Sequence, residues 1–120
     1  MIMEIVEACV ALCQAAREGG KAVEEYKRGR LSEAENELLK ASAHHGKFLL
    51  MSLNEIPGPW VRVENKDFLD TNDPAYAAKY VEAFKRLCRR DYIYHVDGCL
   101  FMLTRSGFEK ARELVRKKQR

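Results

Sequence analysis

The chain predicts an α+β domain, mainly helical, with one small antiparallel hairpin toward its C-terminal end. Three observations point there. Apolar residues recur at spacings of three and four through most of the first half, the mark of helices that bury one stripe. Residues 92–96 and 99–103 are runs of β-formers separated by Asp97-Gly98, a dipeptide favoured in two-residue hairpins. Two further stretches, opened by Asp73-Pro74 and by Thr104, begin with helix-capping residues and continue with an apolar helical period.

In the opening segment Ile2, Ile5, Val6, Cys9, Leu12, Cys13 and Ala16 share one helix face. Gly19-Gly20 interrupts it at a cost of about 1 kcal/mol per glycine relative to alanine. Residues 21–28 resume the pattern with Val23 and Tyr26 inward, so one long helix kinked at the glycines is expected. Arg28-Gly29-Arg30 supplies the basic last turn and the glycine that commonly end a helix. Ser32 and Glu35 then stand three apart as a capping box, flanked by Leu31 and Leu38. The second helix is expected to turn Leu38, Ala41 or Ser42, His45, Leu49 and Leu53 inward, and the short loop predicts that it lies antiparallel on the first as an αα-hairpin.

Pro57-Gly58-Pro59 stops that helix, because proline cannot continue it, and Trp60, Val61, Arg62 and Val63 favour a short strand. Asn65 is placed to cap a brief helix over residues 66–70 that carries Phe68 and Leu69. Over residues 74–90, Ala77, Tyr80, Val81, Phe84, Leu87 and Cys88 fall on one face, and Lys79, Glu82, Arg86, Arg89 and Arg90 on the other. Pairing across Asp97-Gly98 sets Tyr92, Tyr94 and Val96 beside Leu103, Phe101 and Cys99, with His95 opposite Leu100. The closing helix returns Phe108, Ala111, Leu114 and Val115 to the core and ends in Arg116, Lys117, Lys118 and Arg120.

With 120 residues and 47% hydrophobic content the chain has enough apolar surface for a real core, which argues against disorder. No apolar run approaches the roughly 20 residues that span a bilayer. The start alternates apolar with charged residues and lacks a basic leader, so a soluble cytoplasmic protein with no membrane partner is expected. Cys9, Cys13, Cys88 and Cys99 sit inside apolar periodic segments, as reduced thiols acting as small hydrophobes do. The net charge of +3 is uneven: seven Lys/Arg against nine Asp/Glu up to Trp60, and fourteen against nine beyond it. A basic partner surface therefore belongs to the second half.

The pattern "WVRV…DFLD…DPAYAAKYVEAFKRLCRRDYIYHVDGCLFMLTRSGFEKAREL", above all RRDYI before the hairpin and FMLTRSGFEKA after it, resembles the winged helix-turn-helix family. The likeness runs over about residues 32–118. It implies an N-terminal helix in residues 1–30 for packing or dimerisation, and a winged-helix domain in residues 31–120. The whole is then an N-terminal helical hairpin leading into a winged helix-turn-helix with a small antiparallel β-hairpin wing. Helix 74–90 would be the recognition helix, laid in the major groove of double-stranded DNA, and hairpin 92–103 the wing. The implied DNA-binding residues are Lys79, Lys85, Arg86, Arg89 and Arg90, with Arg62 and Arg105 near them in the fold. Such cations neutralise phosphates and release their counterions, while an inserted helix reads base edges. The implied function is a small intracellular DNA-binding protein, a transcription regulator acting as a homodimer through its N-terminal helix; paired recognition helices read a two-fold site.

Asp97 at the wing tip and the modest net charge favour an alternative, a non-enzymatic protein-interaction module that docks through the helical hairpin and the apolar face of the β-hairpin. Cys9 and Cys13 are four apart, and an αα-hairpin would bring His44 and His45 toward them as a Cys2His2 zinc set. The spacing matches no established zinc motif and the cysteines fit an apolar stripe unaided, so no metal or other cofactor is expected. Without a phosphate-cradling glycine loop, a paired-carboxylate motif or an activated nucleophile, no catalytic residue is assigned and an enzyme is not expected.

Overall fold

The computed structural model describes residues 2–19 and 29–118. In chain order the elements are α1 (Ile2–Glu18), α2 (Glu33–Ala41), β1 (Lys47–Met51), β2 (Trp60–Val63), β3 (Lys66–Phe68), α3 (Pro74–Arg89), β4 (Ile93–Asp97), β5 (Leu100–Leu103) and α4 (Arg105–Lys118). The strands form one antiparallel sheet in the order β3-β2-β1-β5-β4. The α+β class holds, with a larger sheet than one hairpin. The expected helical continuation over residues 21–28 lies outside the described residues.

Side-chain alternation along the strands gives the sheet two different faces. Phe48 lies opposite Val63 on β2 and Phe101 on β5, Leu50 opposite Val61, and Val61 opposite Phe68; all of these are buried. α3 lies on this face, with the Phe84 ring 5.6 Å from Phe48 and 5.2 Å from Phe101, and Tyr80 4.7 Å from Phe68. Both α1 and α2 pack on α3, and α4 packs on α2. The shortest principal extent is 22 Å. One helix about 10–12 Å across on one sheet layer about 10 Å thick accounts for that dimension, so the described helices cover a single face.

Four expectations are corrected. The second helix ends at Ala41, not near Leu53, and residues 47–51 form β1 at the centre of the sheet. Ser42 caps it by donating its N–H to Leu38 and Leu39 carbonyls, and Gly46, at φ +70°, lets the chain leave the helical path. Phe108 closes over Gly46 so tightly that a Cβ there would lie 2.3 Å from the ring. Next, residues 66–68 are strand β3 rather than a short helix. Glu64 and Asn65 make the turn of a β2–β3 hairpin, with Val63 opposite Lys66 and Glu64 at φ +56°. The Glu64 carboxylate accepts the His45 N–H at 3.0 Å, a contact between residues 19 apart that the local sequence does not reveal. No helix therefore lies between β1 and α3 to complete a helix-turn-helix pair.

The third correction concerns α1, whose described residues pack on α3, β4 and β1 rather than on α2. The fourth is the β4–β5 register. Ile93 pairs with Leu103, Tyr94 with Met102 and His95 with Phe101, and then the ladder shifts so that Asp97 pairs with Leu100. The turn is thus centred on Gly98 and Cys99, with Gly98 at φ +50° as a tight hairpin turn requires. The displacement by one residue turns His95, not Tyr94, toward the Phe101 face.

The junction of α3, β4 and α4 is held by backbone bonds. Tyr92 N–H donates to Leu87 O at 3.2 Å and Asp91 N–H to Cys88 O at 3.1 Å, closing α3 in a Schellman motif with Asp91 at φ +60°. The freed Asp91 carbonyl accepts the Thr104 hydroxyl at 2.7 Å, while the Thr104 oxygen caps α4 by accepting the Gly107 N–H at 3.1 Å. That is why the stretch from Cys88 to Gly107 runs in the order it does: helix end, hairpin and helix start share one set of bonds.

Candidate functional site

The expected groove-binding helix is the enclosed centre of the helix layer. Ala77, Tyr80, Val81, Ala83, Phe84, Leu87 and Cys88 of α3 are all buried, and both α1 and α2 cover it. Arg90, next after α3, is 4% exposed. Its Nε donates to Glu35 Oε2 at 2.8 Å, and its terminal nitrogens donate to the carbonyls of Gly29 at 2.8 Å and Arg30 at 3.2 Å. Glu35 is itself buried, and its other oxygen accepts the Ser32 N–H at 3.3 Å while the Ser32 hydroxyl accepts the Glu35 N–H at 3.2 Å. The capping box legible in the sequence is thus also the anchor of a buried ion pair. A guanidinium held in this way is not available to a phosphate.

The other implied DNA contacts are dispersed. Arg86 Nε lies 3.6 Å from Glu35 Oε1 and Lys85 Nζ 3.2 Å from Glu82 Oε1. Lys79 is exposed, its Nζ 5.0 Å from the Tyr80 ring centre and 5.4 Å from that of Tyr76. Arg89 is also exposed. Arg105 Nε sits 3.4 Å from Glu109 on the first turns of α4. Arg62 makes a two-pronged contact with Asp67 at 2.7 and 3.2 Å and pairs across the strands with Leu49. That register puts Arg62 on the sheet face turned away from α3, so the expectation that it stands beside the α3 cations is corrected. Five of the seven implied cations, Lys85, Arg86, Arg90, Arg62 and Arg105, face a carboxylate.

His44 and His45 are exposed, with ring centres 6.5 Å apart, and do not complete a set with the buried Cys9 and Cys13. Those thiols share the buried core with Cys88 where α1 packs on α3. Burial first, and then the neighbouring Cys13 and Cys9 thiols, push the Cys88 thiol well above its ordinary value. The neighbouring Cys88 thiol lowers that of Cys9, against burial and with help from the Lys85 charge. Among the described residues no group of three or more His, Cys, Asp or Glu side chains is arranged to hold a metal ion. No described helix is long and apolar enough to cross a membrane.

The most distinctive surface is the sheet face that the described helices leave uncovered. Leu49 and Met51 of β1 and Leu100 and Met102 of β5 are half-buried there and stand apart from the core cluster, while Tyr94 of β4 meets Arg17 of α1, whose guanidinium lies 5.4 Å from its ring centre. Trp60 closes one end, 2% exposed, with its indole N–H donated to Asp67 at 2.9 Å. Arg62 chiefly, with help from Trp60, holds the Asp67 carboxyl below the usual aspartate range against the opposing effect of burial. Lys47 and Asp97 are exposed at the margins. Reading Leu49 as an inward helix position concealed this face. The signal lay in "GKFLLMS", a four-residue apolar run between Gly46 and Ser52 that suits a strand better than a helix. No protein-family model, curated protein or solved structure matches the chain.

Proposed function

We propose that this chain is a non-enzymatic protein-interaction module whose uncovered sheet face pairs with that of a second copy to make a homodimer. The observation that carries this reading is the group Leu49, Met51, Leu100 and Met102, apolar side chains on one contiguous sheet face that take no part in the core. Removing such surface from water contributes about 25 cal/mol per Å² of apolar area.

The charges around the face favour a like partner. Lys47 and Arg62 are balanced by Asp67 and Asp97. A rim of one sign repels its own copy across a two-fold interface, and a rim of both signs does not. Duplex DNA instead asks for uncompensated cations, and the pairing of five implied cations with carboxylates weakens that reading. The stripe of α1, with Val6, Cys9, Cys13 and Ala16 buried within the chain, is already covered, which favours the sheet over α1 as the dimer surface.

Light scattering over a concentration series tests the proposal. Wild type should approach twice the monomer mass, and Leu100→Glu and Leu49→Glu should remain folded monomers, since each introduces a charge at the centre of the paired faces. A monomeric wild type across the series sinks the dimer. Fluorescence anisotropy with random duplex DNA at two salt concentrations should show no binding; salt-sensitive binding abolished by Arg89→Ala with Lys79→Ala would restore the groove-binding role.

A further inference from the structure

Three of the four methionines lie among the described residues, and they fall in two settings. Met3 is on α1 and 59% exposed. Met51 of β1 and Met102 of β5 are half-buried on the sheet face that the described helices leave uncovered. Leu49 pairs with Leu100 across these antiparallel strands, so Met51 and Met102 stand on opposite sides of that leucine pair, each two residues along its strand. Two residues of strand span about 6.6 Å. The two thioethers therefore frame the leucines and supply half of the four apolar side chains on which the dimer reading rests.

We propose that Met51 and Met102 are a peroxide-sensitive modification site, and that their oxidation to sulfoxides separates the two copies of the chain. The inference rests on the homodimer proposed above. Each thioether sulfur attacks one oxygen of hydrogen peroxide; the O–O bond breaks, an S–O bond forms, and hydroxide leaves. That hydroxide takes the proton of the transferred hydroxyl and becomes water. Each sulfur is oxidised by two electrons and one peroxide is reduced, with no change in charge.

A sulfoxide replaces a soft apolar group with a strong hydrogen-bond acceptor. Water satisfies that acceptor on a separated chain, whereas paired faces exclude water and leave it dependent on protein donors. Around Met51 the donors are already committed. Trp60, opposite it in the register, gives its indole N–H to Asp67, and Arg62, diagonal to it, holds the same carboxylate with two nitrogens. Met102 differs, because Lys47 and Tyr94 flank it on the neighbouring strands and bring an ammonium and a phenol. An oxygen at Met51 is thus the more disruptive of the two, and the two-fold arrangement presents it on both copies.

Hydrogen peroxide on the full chain, followed by tryptic mapping, light scattering and circular dichroism, tests this. Trypsin places Met51 in the peptide from Phe48 to Arg62 and Met102 in that from Asp91 to Arg105. Both should gain one oxygen on methionine while the mass in solution falls from dimer to monomer, the helical dichroism stays unchanged, and methionine sulfoxide reductases restore the dimer. Where wild type is dimeric, both should oxidise more slowly than Met3, and the lag should vanish on dilution to monomer. Met51→Leu with Met102→Leu should stay dimeric in peroxide, which separates their effect from oxidation of the partly exposed Cys99. Without oxidant, Met51→Gln should raise the dissociation constant by about tenfold or more, and Met102→Gln by less. A dimer that persists with both methionines oxidised, one that the double leucine variant loses equally, or dissociation that accompanies unfolding overturns the inference and leaves the dimer standing. A wild type already monomeric before oxidant overturns both.

Discussion

Gly107 is required by a neighbouring carbonyl and not by a turn. A Cβ there would lie 2.2 Å from Tyr92 O and 3.0 Å from Leu103 Cδ2, where backbone as well as side chain would have to move. Gly107→Ala should cost about 1–3 kcal/mol, as overpacking does, seen as a lower urea midpoint at unchanged slope. Asp91 presents the opposite case. It holds the left-handed C′ position of α3 at φ +60°, and its Oδ1 is buried with no hydrogen-bond partner. Asp91→Gly removes both burdens and keeps the carbonyl that Thr104 uses, so it should raise stability by about 0.5–1 kcal/mol in the same assay. Asp67 makes a pH prediction. Its folded value is depressed, chiefly by Arg62, so its stabilising contribution is complete above the ordinary aspartate value of 3.8 and is lost as pH falls through the lower folded value. Trp60, the single tryptophan, donates to that carboxylate and should report the titration in its emission, and Asp67→Asn should flatten the response.

At the scale of elements, the contact between the start of α2 and the end of α3 depends on the Glu35–Arg90 pair. Both side chains are nearly inaccessible, at 2% and 5% exposure, so removing either leaves a buried charge less well compensated, Glu35 with Arg86 at 3.6 Å and Arg90 with backbone carbonyls. Arg90→Met should therefore cost about 3–5 kcal/mol, and Glu35→Met with Arg90→Met together should cost less than the sum of the two, which a double-mutant cycle reads directly. Helix starts were legible because caps are local: Ser32 with Glu35, Asp73 with Pro74 and Thr104 all act as expected. The end of α2 was not, because continuing the helix through Leu49 and forming β1 both satisfy an apolar run. Pairing with β2 and β5, whose residues come later in the chain, decides between them. The β4–β5 turn shows the same limit on a smaller scale. Asp97-Gly98 marked the hairpin correctly, yet the irregularity between His95 and Asp97 moved the register by one residue and exchanged the faces.

Across the whole molecule, one sheet face is core and the other is uncovered by the described helices, and substitutions should distinguish them sharply. Phe101→Ala, on the covered side beneath Phe84, should lose about 3–5 kcal/mol. Leu100→Glu, one residue away on the uncovered side, should change the stability of the dilute chain by only about 0.5 kcal/mol, as thermal or urea unfolding would show. Near-equal losses would contradict the two-layer arrangement. Self-association, if it runs through this face, should then be the property that Leu100→Glu removes. The implied DNA-contacting set illustrates how much depends on this scale: its spacing on helix 74–90 is correct, but packing of α1 and α2 on α3, burial of Arg90 and placement of Arg62 beyond the sheet disperse it.

The sequence by itself determined the α+β class, three helix starts, the strand at Trp60, the existence of the C-terminal hairpin and the inward face of α3. Each follows from contacts within a few residues: a cap, a turn dipeptide or an apolar period. Only the tertiary structure decided that the run after Gly46 is the central strand, that residues 66–68 extend the sheet, that Arg90 belongs to Glu35 and that Cys88 shares the core with Cys9 and Cys13. The central strand takes partners 9 to 15 and 51 to 55 positions away and Glu35 one 55 away, while β3 gains its place only because β2, its near neighbour, is itself held by β1. Burial and hydrogen bonding reward such pairs only once the chain has brought them together, so the local pattern leaves them open.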